Sequence, residues 1–185
     1  VRLHIFRTSM IILLNSSDSA SHLGRLDHAS LPQQALMEMF IDGLSDRENI
    51  SWSKESPRDI FEWDGLMFDQ NKVVEIDWWR DIFITGTINW QWLPSTVTRL
   101  FLAENALSGT IDLWALPSAL HHLNVSKNQF RGGIAFSELP KNMVELDVSE
   151  NMLSGSLHFE DLPPTMESLF LVKNLFVGSF CLTRL

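Results

Sequence analysis

The chain contains little cysteine, few basic residues and no long apolar run. Cys181 is its only cysteine, which excludes an internal disulfide framework and any metal site built from several cysteines. Its 14 basic residues stand against 23 acidic ones, for a formal net charge of -9. Because phosphate recognition needs a basic face, this balance argues against nucleic-acid binding. No apolar run approaches the roughly 20 residues of a membrane-spanning helix, so we expect no membrane span.

Common catalytic and metal-binding motifs are also missing. The sequence contains no HExxH, no glycine-rich phosphate loop and no zinc-type spacing. His121 and His122 are adjacent, but in an extended strand they point to opposite faces. His122 could approach Glu145, yet no Ser or Cys nucleophile is placed to join them. We therefore predict that the protein is not an enzyme and needs no metal or cofactor, and we keep a hydrolase of unknown type as an alternative.

A 23-residue repeat dominates the second half of the chain. Four copies follow one another without insertion from Leu93 to Phe180, and they keep Leu-Pro, Leu, Asn and Gly in phase. The copies are LPSTVTRLFLAENALSGTIDLWA (93–115), LPSALHHLNVSKNQFRGGIAFSE (116–138), LPKNMVELDVSENMLSGSLHFED (139–161) and the shorter LPPTMESLFLVKNLFVGSF (162–180). One such unit cannot bury its own apolar face, so neighbouring units must stack.

This repeat resembles that of the leucine-rich-repeat proteins. The core LxxLxLxxNxL is typical of that family, and the LxGxI tail is similar to its plant-type subclass. The resemblance implies a leucine-rich-repeat solenoid, a β-dominated member of the α/β horseshoe class. Its expected form is a right-handed coil with a concave parallel sheet and an N-terminal helical cap.

The residues of one unit predict two short strands. Leu100 and Leu102 are two positions apart and point to the same face of an extended segment, which predicts a strand with one buried face. Asn105 can both donate and accept, so it can pair backbone groups of the adjacent rung that would otherwise be buried unpaired. A second alternation, Ile111 with Leu113, predicts another short strand on the far flank. The intervening turn is assigned to the glycine of each unit, Gly109, Gly132, Gly155 or Gly178.

Residues 1–29 differ in composition from the rest of the chain. They combine arginines, a short apolar stretch from Met10 to Leu14 and a run of small residues. We predict a flexible tail, with a secretory leader or an organelle presequence as alternatives. No Met stands at position 1, so the sequence is consistent with a fragment.

Residues 30–69 are predicted to form the N-terminal cap. Ser30 is placed as the cap of a helix and Pro32 at an early helical position. Gly43 suits the end of that helix. The apolar face of the helix is predicted to carry Leu36, Met39 and Phe40.

The second part of this cap resembles the CxWxGVxC motif of plant-type leucine-rich-repeat proteins. Trp63 and Gly65 keep their places in the motif, and Phe61 and Phe68 stand where the two cysteines would be. We predict that an aromatic contact between these phenylalanines replaces the disulfide. Such a cap needs no oxidising compartment, which favours an intracellular location.

Residues 70–185 are predicted to form five rungs, of which the first is irregular. Ile76 and Trp78 match Leu100 and Leu102, and Asp81 takes the asparagine position. An atypical first rung is expected where a solenoid meets its cap.

No C-terminal cap is recognisable in the sequence. The chain ends at Leu185, where a further unit would open, and Leu169, Leu171 and Phe176 are predicted to point inward without a rung above them. Solenoids normally need a terminal cap for solubility. We therefore expect either a fragment of a longer repeat protein or a homodimer formed through the C-terminal edge. The remaining alternative is that residues 181–185 fold back over the last rung as a minimal plug.

Four columns of side chains are predicted on the concave face. The first holds Asp77, Phe101, Asn124, Asp147 and Phe170; the second holds Trp79, Ala103, Ser126, Ser149 and Val172; the third holds Glu75, Arg99, His122, Glu145 and Ser168; the fourth holds Arg80, Glu104, Lys127, Glu150 and Lys173. The fourth alternates in sign, which predicts a self-complementary charge ladder.

Large exposed aromatic side chains beside polar groups are the usual anchors of protein interfaces. We therefore predict that the chain is a non-enzymatic recognition module that binds a protein partner through the concave face. The predicted contact residues are Trp79, Arg99, Phe101, His122, Asn124, Asp147 and Phe170. The alternative is a structural subunit or fragment of a larger leucine-rich-repeat assembly, held through its C-terminal edge.

Overall fold

The computed structural model describes residues 28–53, 55–79 and 83–178. Nearly all of the segment predicted to be a leader or tail lies outside these residues, and so do Asp81 and residues 181–185. Within them the α-helices are α1 (Gln33–Phe40) and α2 (Glu48–Ser51). The strands are β1 (Leu66–Asp69), β2 (Lys72–Asp77), β3 (Thr85–Thr87), β4 (Arg99–Phe101), β5 (Ala106–Gly109), β6 (His122–Asn124), β7 (Gln129–Gly132), β8 (Glu145–Asp147), β9 (Met152–Gly155), β10 (Ser168–Phe170) and β11 (Leu175–Phe176).

Six strands form the concave sheet, in the order β1-β2-β4-β6-β8-β10. From β2 onward they are parallel, and Leu100 pairs with Leu123, Leu123 with Leu146, and Leu146 with Leu169. Each paired leucine therefore lies one 23-residue unit from the next. The predicted strands are confirmed, because their central apolar side chains stack from rung to rung, buried from Ile76 to Leu146 and half-buried at Leu169.

The second sheet, in the order β11-β9-β7-β5-β3, corrects the prediction for the far flank. Strands β5, β7 and β9 end on the glycine of their unit instead of following it, as β5 does at Gly109. Strand β3 contains its glycine, Gly86, and β11 ends two residues before Gly178. Gly109 has a φ of +94°, which turns the chain out of the ladder. Ile111 and Leu113 are buried as predicted, but Leu113–Ala115 is a 3-10 turn. Alternation of two residues does not distinguish such a turn from a strand.

The asparagine of each unit pairs the backbone of neighbouring rungs, as predicted. The Nδ2 of Asn128 donates to the carbonyl of Leu102 at 2.8 Å and to that of Val125 at 3.1 Å. Its Oδ1 accepts from the backbone N–H of Leu107 at 2.9 Å. Asn105, Asn151 and Asn174 make the corresponding bonds in their rungs. Each amide thus satisfies groups that burial would otherwise leave unpaired.

The cap helix begins later than predicted. Pro32 immediately precedes α1 and has φ −60° and ψ 146°. Because this conformation is extended, the helix begins only at Gln33. Ser30 lies in a separate 3-10 turn, His28–Ser30, so its assignment as the helix cap is wrong. The buried face of α1 is formed by Leu36, Met37 and Phe40, whereas Met39 is only half-buried.

Phe61 and Phe68 contact each other, as predicted. Their ring centroids lie 4.6 Å apart at an interplanar angle of 35°. The indole of Trp63 is buried and donates to the carbonyl of Arg58 at 2.9 Å. Gly65 has a φ of +74°, and a Cβ there would lie 2.2 Å from the carbonyl oxygen of Asp77. Packing of the aromatic rings and the close approach of the backbone at Gly65 therefore account for these motif positions without a disulfide.

An antiparallel strand covers the first edge of the concave sheet, and sequence analysis did not predict it. Strand β1 pairs with β2, with Leu66 opposite Ile76 and an irregularity between Met67 and Phe68. The rungs therefore meet the cap through backbone hydrogen bonds as well as through the core. In the described ranges, none of the helices is long and apolar enough to cross a bilayer.

Candidate functional site: the concave sheet

The predicted contact residues lie on the concave sheet or directly after one of its strands. The pairing of Asp77 with Phe101, Phe101 with Asn124, and Asn124 with Asp147 continues to Phe170. These five residues form the first column, with one member on each of β2, β4, β6, β8 and β10. Its members are spaced by roughly 4.8 Å, the distance between neighbouring strands.

The polar members of the first column are held by the second. The Oδ1 of Asn124 accepts from the backbone N–H and the hydroxyl of Ser126, at 3.0 and 2.7 Å. The Oδ1 of Asp147 accepts the same two bonds from Ser149, at 2.9 and 2.6 Å. In both residues one oxygen fixes the turn after the strand, which orients the rest of the polar group toward the open face.

The third column is internally paired. Arg99 forms an ion pair with the buried carboxylate of Glu75. The Nδ1 of His122 lies 3.7 Å from the Oε2 of Glu145. Both predicted contact residues of this column, Arg99 and His122, therefore have a partner within the chain. The charge of Arg99 is therefore available to an incoming protein only in part.

Two ion pairs of the predicted charge ladder are present in the fourth column. Lys127 forms an ion pair with Glu104 on the preceding rung, and Lys173 forms one with Glu150 at 3.1 Å. All four residues have φ between 53° and 57°. Arg80, the first member of the column, lies outside the described residues. The ladder leaves this side of the concave face close to electrically neutral.

Two of the three predicted aromatic residues share one groove. Trp79 is 53% exposed, and with Phe101 it lines a cavity of about 290 Å³. Asp77, Ala103 and Asn124 complete the lining. Phe170 is 47% exposed but lies three strands beyond Phe101, at roughly 14 Å. The predicted aromatics thus occupy two places on the concave face.

Sequence reasoning missed the part played by Ala103. This residue is buried and stands in the second column next to Trp79. Its small side chain leaves the space between the two rings open. The sequence contained a signal for this groove, because in the second column the large Trp79 is followed one rung later by the small Ala103. Such a change in side-chain size predicts a depression in the surface.

Apolar exposure at the last described rung was also missed. Val172 is 66% exposed beside Phe170, and Leu175 and Val177 are each 62% exposed on and after β11. Together these side chains make the last described rung more apolar at its surface than the rung before it. Among the residues that the structure describes, no group of three or more His, Cys, Asp or Glu side chains could hold a metal ion.

No family model and no curated protein matches the sequence. Solved structures do match the fold. A chain of the BIR3–SERK2 complex from Arabidopsis thaliana aligns with a TM-score of 0.65 at 24% identity, over 77% of this chain and 82% of that one. The BIR2 ectodomain from the same plant aligns with a TM-score of 0.66 at 22% identity, over 80% of this chain and 82% of that one.

A third structure is much longer than this chain. The leucine-rich-repeat ectodomain of the Arabidopsis receptor kinase HAESA, in complex with an IDA peptide hormone ligand, aligns with a TM-score of 0.56 at 22% identity. The alignment covers 78% of this chain and 29% of that one. These likenesses establish the leucine-rich-repeat fold that the repeat pattern predicts.

Proposed function

We propose that this leucine-rich-repeat solenoid is a non-enzymatic module that recognises a protein partner through its concave sheet. The observation that carries the proposal is the exposed indole of Trp79, which shares a groove with Phe101. Large aromatic side chains that stay exposed beside polar groups are the residues that most often dominate binding energy. The contact surface comprises Trp79, Arg99, Phe101, His122, Asn124, Asp147 and Phe170.

The structural neighbours support this class of function. Two of them are a complex of two proteins, BIR3 with SERK2, and a receptor ectodomain in complex with a peptide hormone. The concave sheet of this chain offers the same kind of scaffold, since its rigid parallel strands present side chains at fixed spacing. The internal ion pairs of the third and fourth columns reduce the charge that binding must desolvate, which leaves the aromatic residues as the main source of affinity.

Site-directed photo-crosslinking tests the location of the binding face. p-Benzoylphenylalanine replaces Phe170 on the concave sheet or, as the matched control, Trp114, which is 67% exposed on a 3-10 turn outside both sheets. After irradiation in native lysate, we expect a discrete cross-linked product from position 170 only. A product from position 114 alone would contradict the proposal.

A structural role through the C-terminal edge is the second candidate. Leu169, Leu171 and Phe176 are only half-buried, although the equivalent residues one rung earlier are fully buried. Among the described residues, β10 and β11 each pair with one neighbouring strand. Such an edge is a template for association. The occupant proposed is a second copy of this chain, which would form a homodimer.

Light scattering across a dilution series separates the two candidates. Edge pairing predicts a dimer whose dissociation is promoted by Leu175→Lys, at an exposed position of β11, and not by Gln129→Lys, at an exposed position of β7. A monomer at all concentrations would remove the second candidate and leave the first unchanged.

A further inference from the structure

We infer that the groove between Trp79 and Phe101 receives a basic side chain, arginine or lysine, of the protein partner. The inference rests on the proposed function and specifies the chemistry of one subsite within it. We call this groove the aromatic groove; it is lined by Asp77, Trp79, Phe101, Ala103 and Asn124.

The dimensions of the aromatic groove suit a single side chain. Its volume of about 290 Å³ lies at the lower limit of the roughly 300–1,000 Å³ typical of small-molecule pockets. Ala103 provides its small floor, and Trp79 and Phe101 provide apolar walls on two adjacent rungs. A long, unbranched side chain can lie along such walls while its polar end reaches a charged group.

The charge of the aromatic groove is negative. Asp77 is exposed, and its Oδ1 accepts from the backbone N–H of Trp79 at 3.3 Å. Among the described residues, the cations Arg99 and Lys127 are already paired, with Glu75 and Glu104. Each of those pairs cancels its own charge, and Asp77 is the charged residue among those that line the groove.

An apolar occupant fits this chemistry less well. It would cover the Asp77 carboxylate without replacing the hydrogen bonds that water makes to it, and such desolvation is unfavourable. A cation replaces those bonds and interacts with the negative face of an indole ring, for which tryptophan is the best aromatic partner. The net charge of -9 also favours the approach of a basic segment.

In the cap of the same chain, an arginine already contacts both an indole and a carboxylate. The guanidinium carbon of Arg58 lies 4.5 Å from the ring centroid of Trp52, and Arg58 also pairs with Glu62 at 3.4 Å. There one arginine contacts an indole and a carboxylate together. The aromatic groove offers an indole and a carboxylate in adjacent positions, and the partner would supply the cation.

Fluorine NMR of the full chain labelled with 5-fluorotryptophan tests the inference. The Trp79 resonance is assigned with Trp79→Phe, and the probes are N-acetyl-arginine methylamide, its neutral isostere N-acetyl-citrulline methylamide, and N-acetyl-leucine methylamide, at constant ionic strength. We expect the arginine probe to shift the Trp79 resonance saturably, with a dissociation constant at least about fivefold below that of the citrulline probe. The Trp52 resonance, whose ring Arg58 already contacts, serves as the internal reference and should not respond.

Two aspartate variants sharpen the test. Asp77→Asn keeps an acceptor for the Trp79 N–H but removes the charge, and it should reduce the arginine preference to less than about twofold. Asp161→Asn removes the same charge from an exposed position of the 3-10 turn Phe159–Asp161, outside both sheets, and should leave the preference unchanged.

Equal binding of the citrulline or leucine probe, or no movement of the Trp79 resonance with any probe, would overturn the inference. These outcomes are distinguishable from failure of the proposed function. A cross-link from position 170 without an arginine preference overturns the basic subsite alone. An arginine preference without any concave-face cross-link overturns the recognition function alone.

Discussion

The rungs and the cap of this protein are held together in different ways. In the rungs the main contacts recur one unit later: leucine stacks on leucine along the concave sheet, and each asparagine bonds the backbone of the preceding rung. In the cap each contact occurs once. The side chain of Gln33 bonds the backbone of residues 71 and 73, and Phe61 contacts Phe68. Periodic contacts are readable from one sequence, whereas a single contact is readable only where a known motif marks it, as it does for Phe61 and Phe68 but not for Gln33.

The largest effect on the free energy of unfolding is expected in a middle rung, which has neighbouring rungs on both sides, and a smaller one in the last described rung. Leu146→Ala removes a fully buried side chain from a middle rung and should cost about 2–5 kcal/mol of unfolding free energy. Leu169→Ala is the matched variant one rung later, where the leucine is only half-buried, and should cost less than half as much. Urea unfolding measures both. A cost below about 1 kcal/mol for Leu146→Ala would contradict the assignment of its face to the core.

The asparagine ladder should be nearly as important to stability. Asn128→Ala removes the side-chain acceptor of the Leu107 N–H and one of the two asparagine donors to each of the carbonyls of Leu102 and Val125, which keep Asn105 and Asn151. Because the loss falls mainly on one buried N–H, we expect a cost of about 1–3 kcal/mol in thermal or urea unfolding. The half-buried equivalent, Asn174→Ala, should cost less because water reaches the freed groups. Equal costs at the two positions would show that burial does not set the strength of the ladder.

The third prediction compares one residue type in the two regions. Gln33→Ala removes the acceptor of the Val73 N–H, a bond of 2.7 Å, and should cost about 1–2 kcal/mol. Gln129→Ala, at an exposed position of β7, should change the unfolding free energy by less than about 0.5 kcal/mol. Urea unfolding of both variants checks the difference. The opposite order would mean that the cap is not docked through this amide.

The smallest effect on stability is expected on the concave face. Phe101→Ala should destabilise the chain by no more than about 1 kcal/mol, because its ring is only half-buried. The same variant should weaken partner binding by more than about 1 kcal/mol. Calorimetry of binding and urea unfolding, performed on one preparation, separate these quantities. A large loss of stability with unchanged affinity would assign the ring to packing and favour the structural role.

The fold was predictable to the extent that it repeats. The positions of Leu100, Leu123 and Leu146 fix the phase of the concave sheet, and the asparagine three residues after the second apolar position fixes the turn. Strand β1 was not predictable, since it pairs once and antiparallel with β2. The second sheet was placed too late along each unit because Ile111 and Leu113 are buried in a turn with the alternation of a strand.

The candidate site was predictable as a face but not as a groove. Column phase places Trp79, Phe101 and Phe170 on the concave sheet, but it does not state which of them face a common space. The answer depends on the small side chain of Ala103 and on the three strands that separate Phe101 from Phe170. The neutralisation of Arg99 by Glu75 likewise depends on side-chain geometry that column phase alone does not specify.

Two exposed tryptophans provide the decisive comparison for recognition through the concave sheet. Trp79 is 53% exposed on the concave side, and Trp114 is 67% exposed outside both sheets. With the partner captured by cross-linking, calorimetry of Trp79→Ala and Trp114→Ala compares the loss of an indole from each surface. We expect Trp79→Ala to raise the dissociation constant at least about fivefold and Trp114→Ala to change it less than about twofold. The reverse order, or equal effects, would show that recognition does not occur through the concave sheet.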